Sequence, residues 1–312
     1  MLEFVRRGYE YTLTMGIPRI GWYNVSPGRL NFAEGCMLGD MVALGIRLSD
    51  YGVGDYWDDV DAVVRNHLCE QQVLSEELLR RVAAASPAER REQDRTDIPH
   101  QHATERVIER TLGIFAGVSL PDCIPDGWVW SMQCCTGTAA QGLYYAWEGA
   151  VRERGDSATV NLLLNRVAAG LEVASHLPYC GKVIIRNRSR RRIAVRIPHW
   201  ARHHRIVFLV SGREVSPEWL GGYVMFEDLH PGAEIAIRFP VHETTASYTV
   251  NSRTEMEQRY TCTFRGSTLV DIEPRDDRPA SYPLYRRGHL RRDEAPVKAA
   301  TGFVPRKHIV GW

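Results

Sequence analysis

The chain has 312 residues, 44% apolar and 25% charged, with a formal net charge of +1, which suits a globular protein long enough for two cores. Residues 1–181 are net acidic and 182–312 net basic, so the two halves can attract each other, and the acidic half does not suit nucleic acid. No stretch approaches the ~20 apolar residues of a membrane span, and no secretory leader is visible. Together with seven cysteines in no regular framework, this predicts a cytoplasmic protein whose sulfurs serve as thiols or metal ligands.

Residues 1–9 read like the middle of a helical domain. After a Gly/Pro-containing stretch at 17–28, a helical pattern starts near Glu34, runs through Cys36, Met37, Met41, Leu44 and Leu48, and stops at Tyr51-Gly52. Trp57, Val60, Val63, Val64, Leu68 and Val73 mark a second helix. Residues 75–85 continue it or start a third. Residues 86–102 read as a polar loop. A helix over 103–115 and a last long helix over 138–154 complete the first part.

From Val160 onward, short runs alternate apolar and polar residues: 182–186, 193–197, 205–210, 223–226 and 234–239, divided by Ser211-Gly212, Gly221-Gly222 and Pro231-Gly232. This predicts antiparallel strands in a sandwich. The arginine-rich run from Arg186 to Arg192 lacks interleaved aromatics and reads as a solvated hairpin tip. The tail beyond Arg275 is expected to pack back over other elements.

The chemistry centres on Cys134-Cys135, which stand behind Trp128 and Trp130 and at the start of a helix. Unpaired N–H groups and the helix dipole favour thiolates there. By itself such a pair is more readily a core feature, since cysteine is a small apolar residue. Glu34-Gly35-Cys36 enters another helix. One carboxylate and three thiolates make a donor set suited to tetrahedral zinc.

Five segments, Ala33-Glu34-Gly35-Cys36, residues 56–66, Cys134-Cys135-Thr136-Gly137, residues 160–165 and Ile193 to Trp200, resemble in order the β-L-arabinofuranosidases of glycoside hydrolase family 127. The resemblance covers most of the chain to about residue 250. It is closer to a branch carrying Leu38-Gly39-Asp40-Met41 than to the arabinofuranosidases proper. It implies a multidomain α and β fold, a partial (α/α)6 toroid over residues 1–158 followed by an antiparallel β-sandwich with a C-terminal tail over 159–312. It implies zinc held by Glu34, Cys36, Cys134 and Cys135, with Cys134 the nucleophile of a retaining reaction on a furanoside. It also places Asp61 near a sugar-contacting position. Trp128 and Trp130 suit stacking on a sugar, and equally suit packing in a core.

Two departures accompany the resemblance. Where the family carries its general acid, this chain has Pro18, and no Asp or Glu lies between Glu10 and Glu34. The helices before the strands number about half those of a complete ring. The sequence therefore leaves open a zinc-thiolate glycosidase, a part of a longer hydrolase, and a catalytically silent carbohydrate-binding or assembly protein with structural zinc. A half ring would expose apolar helix faces, which suits a homo-oligomer.

Overall fold

The computed structural model describes residues 1–86, 106–126 and 130–296. Helix α1 (Leu2–Leu13) is followed by two short strands, β1 (Gly16–Ile17) and β2 (Trp22–Tyr23), joined by a 3-10 turn at Pro18–Ile20. Strand β3 (Ala33–Glu34) leads into α2 (Gly35–Asp50), which buries Leu38, Met41, Val42 and Ile46 at helical spacing. Helix α3 (Trp57–Ala62) continues without a break into π-helical turns over Val63–Leu68. Helix α4 (Glu76–Ala85) is capped by Ser75, whose hydroxyl accepts from the Leu78 N–H, and has Glu76 and Glu77 in its first turn, both favourable at a helix start.

Of the helix expected over 103–115, the described residues form α5 (Val107–Thr111), which ends because Gly113 at φ +90° turns the chain and Phe115 pairs with Gln72. The expected polar loop lies almost wholly in residues 87–105, outside the described residues. Strands β4 (Val118–Ser119) and β5 (Cys123–Ile124) precede α6 (Gln133–Ala150). The last long helix therefore starts before 138 and ends before 154. Val151–Arg154 is strand β6, which turns at Gly155-Asp156 and pairs with β7 (Ser157–Val160).

Next come β8 (Arg166–Val167), β9 (Leu171–Ser175), β10 (Lys182–Asn187), β11 (Arg192–Arg196), β12 (Val207–Val210), β13 (Arg213–Val215), β14 (Glu218–Leu220), β15 (Tyr223–Phe226) and β16 (Glu234–Arg238). They form a sheet ordered β13-β12-β16-β10-β9-β8 and another ordered β14-β15-β11-β7-β6. Inward residues of both, among them Val183, Ile185, Ile235 and Ile237 from the first and Val160, Ile193, Val195 and Val224 from the second, share one core. The pairing is not wholly antiparallel, since β11 runs parallel to β7.

The arginine-rich run is likewise no hairpin tip. It carries the chain from β10 to β11, in opposite sheets, and its guanidinium groups meet carboxylates: Arg186 and Arg188 at Glu172, Arg190 at Glu153, Arg191 at Asp228 and Arg192 at Asp156.

Strands β17 (Glu243–Val250), β18 (Gln258–Arg265) and β19 (Thr268–Glu273) make a separate antiparallel ribbon. Its buried Tyr260, Cys262, Phe264, Leu269 and Ile272 pack with Ile17, Ile20, Trp22, Leu78 and Leu79 of the helical part. Beyond it, β20 (Tyr282–Pro283) returns to pair with β5, as expected for a tail that folds back.

Charges tie these parts together. Arg196 on β11, only 2% exposed, makes bidentate pairs with Asp55 (3.1 and 3.1 Å) and Asp58 (3.0 and 2.9 Å) at the start of α3. His199 adds Nδ1 at 2.5 Å from Asp58. On the opposite side, Asn66 donates to the Ser267 carbonyl (2.9 Å) and accepts from the Leu269 N–H (2.9 Å) of the ribbon.

Asp59 stands beside this clamp. Burial, then the Asp58 charge, push its carboxyl up to about 6, against the opposing pull of Arg196. A carboxyl raised on folding binds its proton more tightly in the native state, so stability is greatest below the unfolded value and falls as pH rises through about 6. Asp59→Asn is therefore expected to be more stable than the wild type at pH 7.5, by at most ~3 kcal/mol, with the gain disappearing near pH 4. Urea titrations at the two pH values measure it.

Candidate metal centre

The site is built by two helix starts held against a common plank. Residues 115–119 run between them: β4 pairs with β3 (Ala33 opposite Ser119, Glu34 opposite Val118), and the Gly117 N–H donates to the Trp130 carbonyl at 2.9 Å. Gly35 has no room for a side chain, because a Cβ there would lie 2.9 Å from the Ala116 carbonyl oxygen and 3.3 Å from Cys135 Cβ. That explains the glycine in Glu34-Gly35-Cys36.

One turn further on, α2 and α6 touch through glycine. A Cβ at Gly39 would fall 2.2 Å from the Thr138 carbonyl oxygen, and one at Gly142 would fall 2.7 Å from Gly39 Cα. The contacts advance in the same direction along both helices, so they run parallel and their N-termini lie side by side. Two positive helix ends thus converge on the cysteines.

The sulfurs of Cys36, Cys134 and Cys135 lie within 4.8 Å of one another. Cys135 Sγ is 3.6 Å from Cys36 Sγ and 3.8 Å from Cys134 Sγ, and 3.4 Å from the Gly117 carbonyl oxygen. The Glu34 carboxylate touches only Cys36 of the three, at 3.4 Å from its Sγ, and is not among the ligand atoms that converge within 4.8 Å. Cys135 is buried, Cys36 half-buried and Cys134 exposed. Two sulfurs bound tetrahedrally to one ion at ~2.3 Å are ~3.8 Å apart, close to the distances from Cys135 to each of the other two.

Burial pushes the Cys36 thiol up to about 12, helped by the neighbouring Cys135 and Glu34 groups, and burial raises Cys135 too. Without a cation these sulfurs are neutral thiols at neutral pH. A bound cation reverses that, because a coordinating thiol is deprotonated. The group can hold a metal ion, with Cys134 as its solvent-facing member.

The other expected residues are placed differently. Asp61 is 8% exposed. Its carboxylate accepts from Arg65 (2.7 and 2.9 Å) and from the Ser267 hydroxyl (2.8 Å), bracing α3 to the ribbon. Trp130 donates its indole N–H to the Pro125 carbonyl (2.8 Å) and meets the Tyr282 ring edge-on at 6.0 Å. Trp128 lies outside the described residues. Pro18 opens the 3-10 turn, and Glu10 is engaged by Arg6 (2.9 Å) and the Tyr56 hydroxyl (2.8 Å).

Behind the plank lies a polar group that the sequence did not reveal. Buried His67 joins the Tyr285 hydroxyl (2.7 Å) through Nδ1 and the Ser119 hydroxyl (2.8 Å) through Nε2, and Gln71 Nε2 also reaches Ser119. Burial, then the Arg287 charge, push the His67 imidazole down to about 3, so it stays neutral. Ser119 and Tyr285 are too distant in sequence for any pattern to join them to His67.

No family model and no curated protein matches the sequence. Solved structures do. A GH127 beta-L-arabinofuranosidase from Geobacillus stearothermophilus T6 superposes with a TM-score of 0.50 at 14% identity, covering 82% of this chain. Another GH127 beta-arabinofuranosidase gives a TM-score of 0.55 at 14% identity over 82%. The fold is shared with these enzymes. The chain spans 41% of the length of each, and the helix-then-strand order agrees with the sequence resemblance to glycoside hydrolase family 127. Among the described residues, no helix is long and apolar enough to cross a membrane.

Proposed function

We propose that this chain carries the thiolate centre of a zinc-dependent, retaining glycoside hydrolase acting on a furanoside of the β-L-arabinofuranoside kind. The observation that carries the reading is the convergence of the Cys36, Cys134 and Cys135 sulfurs at paired helix starts, in a fold shared with arabinofuranosidases. In this reading residues 1–158 are part of an (α/α)6 toroid and the two-sheet part that follows is its β-sandwich. A homo-oligomer partner would cover the open helix faces.

Three thiolates and one carboxylate form a soft, mixed set that suits zinc better than magnesium or calcium. Cys36, Cys135 and Glu34 would hold the ion with Cys134, and zinc supplies the charge that keeps the thiols ionised at neutral pH. Cys134 Sγ, the exposed member, attacks the anomeric carbon. A C–S bond forms as the C–O bond breaks, the leaving oxygen keeps the electron pair and takes a proton from water, and a second water then cleaves the C–S bond, returning the Cys134 thiolate and giving net retention. Substrate contacts fall to Trp128, Trp130 and Asp61. For Asp61 this means a carboxylate held in place by Arg65 rather than one free to transfer protons.

The test is covalent labelling. A cyclophellitol-like or haloacetyl furanoside should modify Cys134 in preference to Cys69, Cys123, Cys180 and Cys262, as read by peptide mapping. A second reading, a carbohydrate-binding protein with structural zinc, is favoured by Pro18 at the acid's place and by the engagement of Asp61 and Glu10 in other pairs. Labelling spread evenly over the other cysteines, or absent from Cys134, decides for it.

A further inference from the structure

A second site lies away from the cysteines, where the helical part, the two-sheet part and the ribbon meet. A cavity of about 150 Å³ is lined there by Arg19, Trp200, Arg202, Arg205, His242 and Thr244. It shares no residue with the metal centre. At ~30 Å³ per water it holds about five waters, room for one small ion or one sugar substituent and not for an oligosaccharide.

Its walls are fixed. Arg19 Nη2 donates to Thr244 Oγ1 (2.9 Å) and the Gly266 carbonyl (3.3 Å), while its guanidinium lies 3.9 Å from the Phe264 ring centroid. Trp200 packs edge-on against Phe239, with ring centroids 5.4 Å apart. Gly266, at φ +61°, leaves room for that indole, since a Cβ there would come within 2.8 Å of the ring.

The charge of the lining calls for a negatively charged acceptor. Three guanidinium groups share the cavity, and among the described residues no carboxylate lies within ion-pair distance of any of them, whereas the arginines between β10 and β11 meet carboxylates. An oxyanion there would offset the charge of the arginines and accept from their N–H groups.

We propose that this cavity binds a small oxyanion, either a free phosphate or sulfate or the carboxylate of an acidic saccharide. Bound there, it ties Arg19 of the helical part to Arg202 and Arg205 of the two-sheet part.

The test uses the full chain, titrated with inorganic phosphate, sulfate, glucuronate and glucose against chloride at matched ionic strength, and reads heat of binding and thermal midpoint. At least one anion should bind saturably at one site and raise the midpoint, with glucose silent. Phosphate or sulfate without glucuronate identifies a free inorganic anion, and glucuronate alone identifies an acidic sugar. The double variant Arg202→Gln/Arg205→Gln alters exposed side chains and should unfold like the wild type in chloride while binding at least tenfold more weakly. Anion effects no larger than those of chloride, or equal affinity in the double arginine variant, would overturn the proposal.

Discussion

Gly39→Ala is expected to cost ~3 kcal/mol or more in unfolding free energy and to disorganise the cysteine cluster. The added methyl would stand 2.2 Å from the Thr138 carbonyl oxygen and 2.7 Å from its carbonyl carbon. Both are main-chain atoms of α6, so no rotamer change relieves the clash and the helices must separate. Alanine gains ~1 kcal/mol over glycine in helix propensity, far less than the overlap costs. Because Cys36 and Cys135 sit one turn away on the same two helices, separation also draws their sulfurs beyond the 3.6 Å seen here. Denaturant titration measures the first effect and metal affinity the second. Full stability together with unchanged metal affinity would mean that the helix contact does not set the site.

Local pattern carried much of the architecture. The apolar spacing in α2 and the alternation in β10, β11, β12 and β15 were legible because each has a more buried face, and β16 because it is an apolar run between charged ends. The run at 151–154 was not, since Val-Arg-Glu-Arg suits a helix as readily as an edge strand, and only pairing with β7 decides it. Nor could sequence show that β10 and β11 lie in opposite sheets, because a short arginine-rich link is compatible with a hairpin or a crossing. The ribbon β17–β19 escaped notice because its outward positions are threonines, serines and arginines whose partners lie in the same ribbon.

The metal centre divides in the same way. Cys36, Cys134 and Cys135 were candidates from residue type and helix position. Their convergence depends on the Gly39–Gly142 contact and on the 115–119 plank, which bring together segments about a hundred residues apart. Asp61 shows the opposite case. A carboxylate on a helix looks available in sequence, whereas here Arg65, one turn on, and Ser267 from the ribbon occupy it.

Metal content is the direct test of the account. The purified 312-residue chain, dialysed against buffer containing a weak chelator, should retain one zinc per chain by elemental analysis. The ion would stabilise as thiolates Cys36 and Cys135, which burial otherwise keeps protonated, and thiolate ligands hold zinc tightly while contributing to folding. Cys36→Ser and Cys135→Ser should each lose the metal, and their thermal midpoints should fall to that of wild-type protein stripped by a strong chelator. Wild-type protein that carries no metal, and whose midpoint is unmoved by added zinc, would contradict the assignment of the three cysteines as a metal centre and with it the proposed thiolate chemistry.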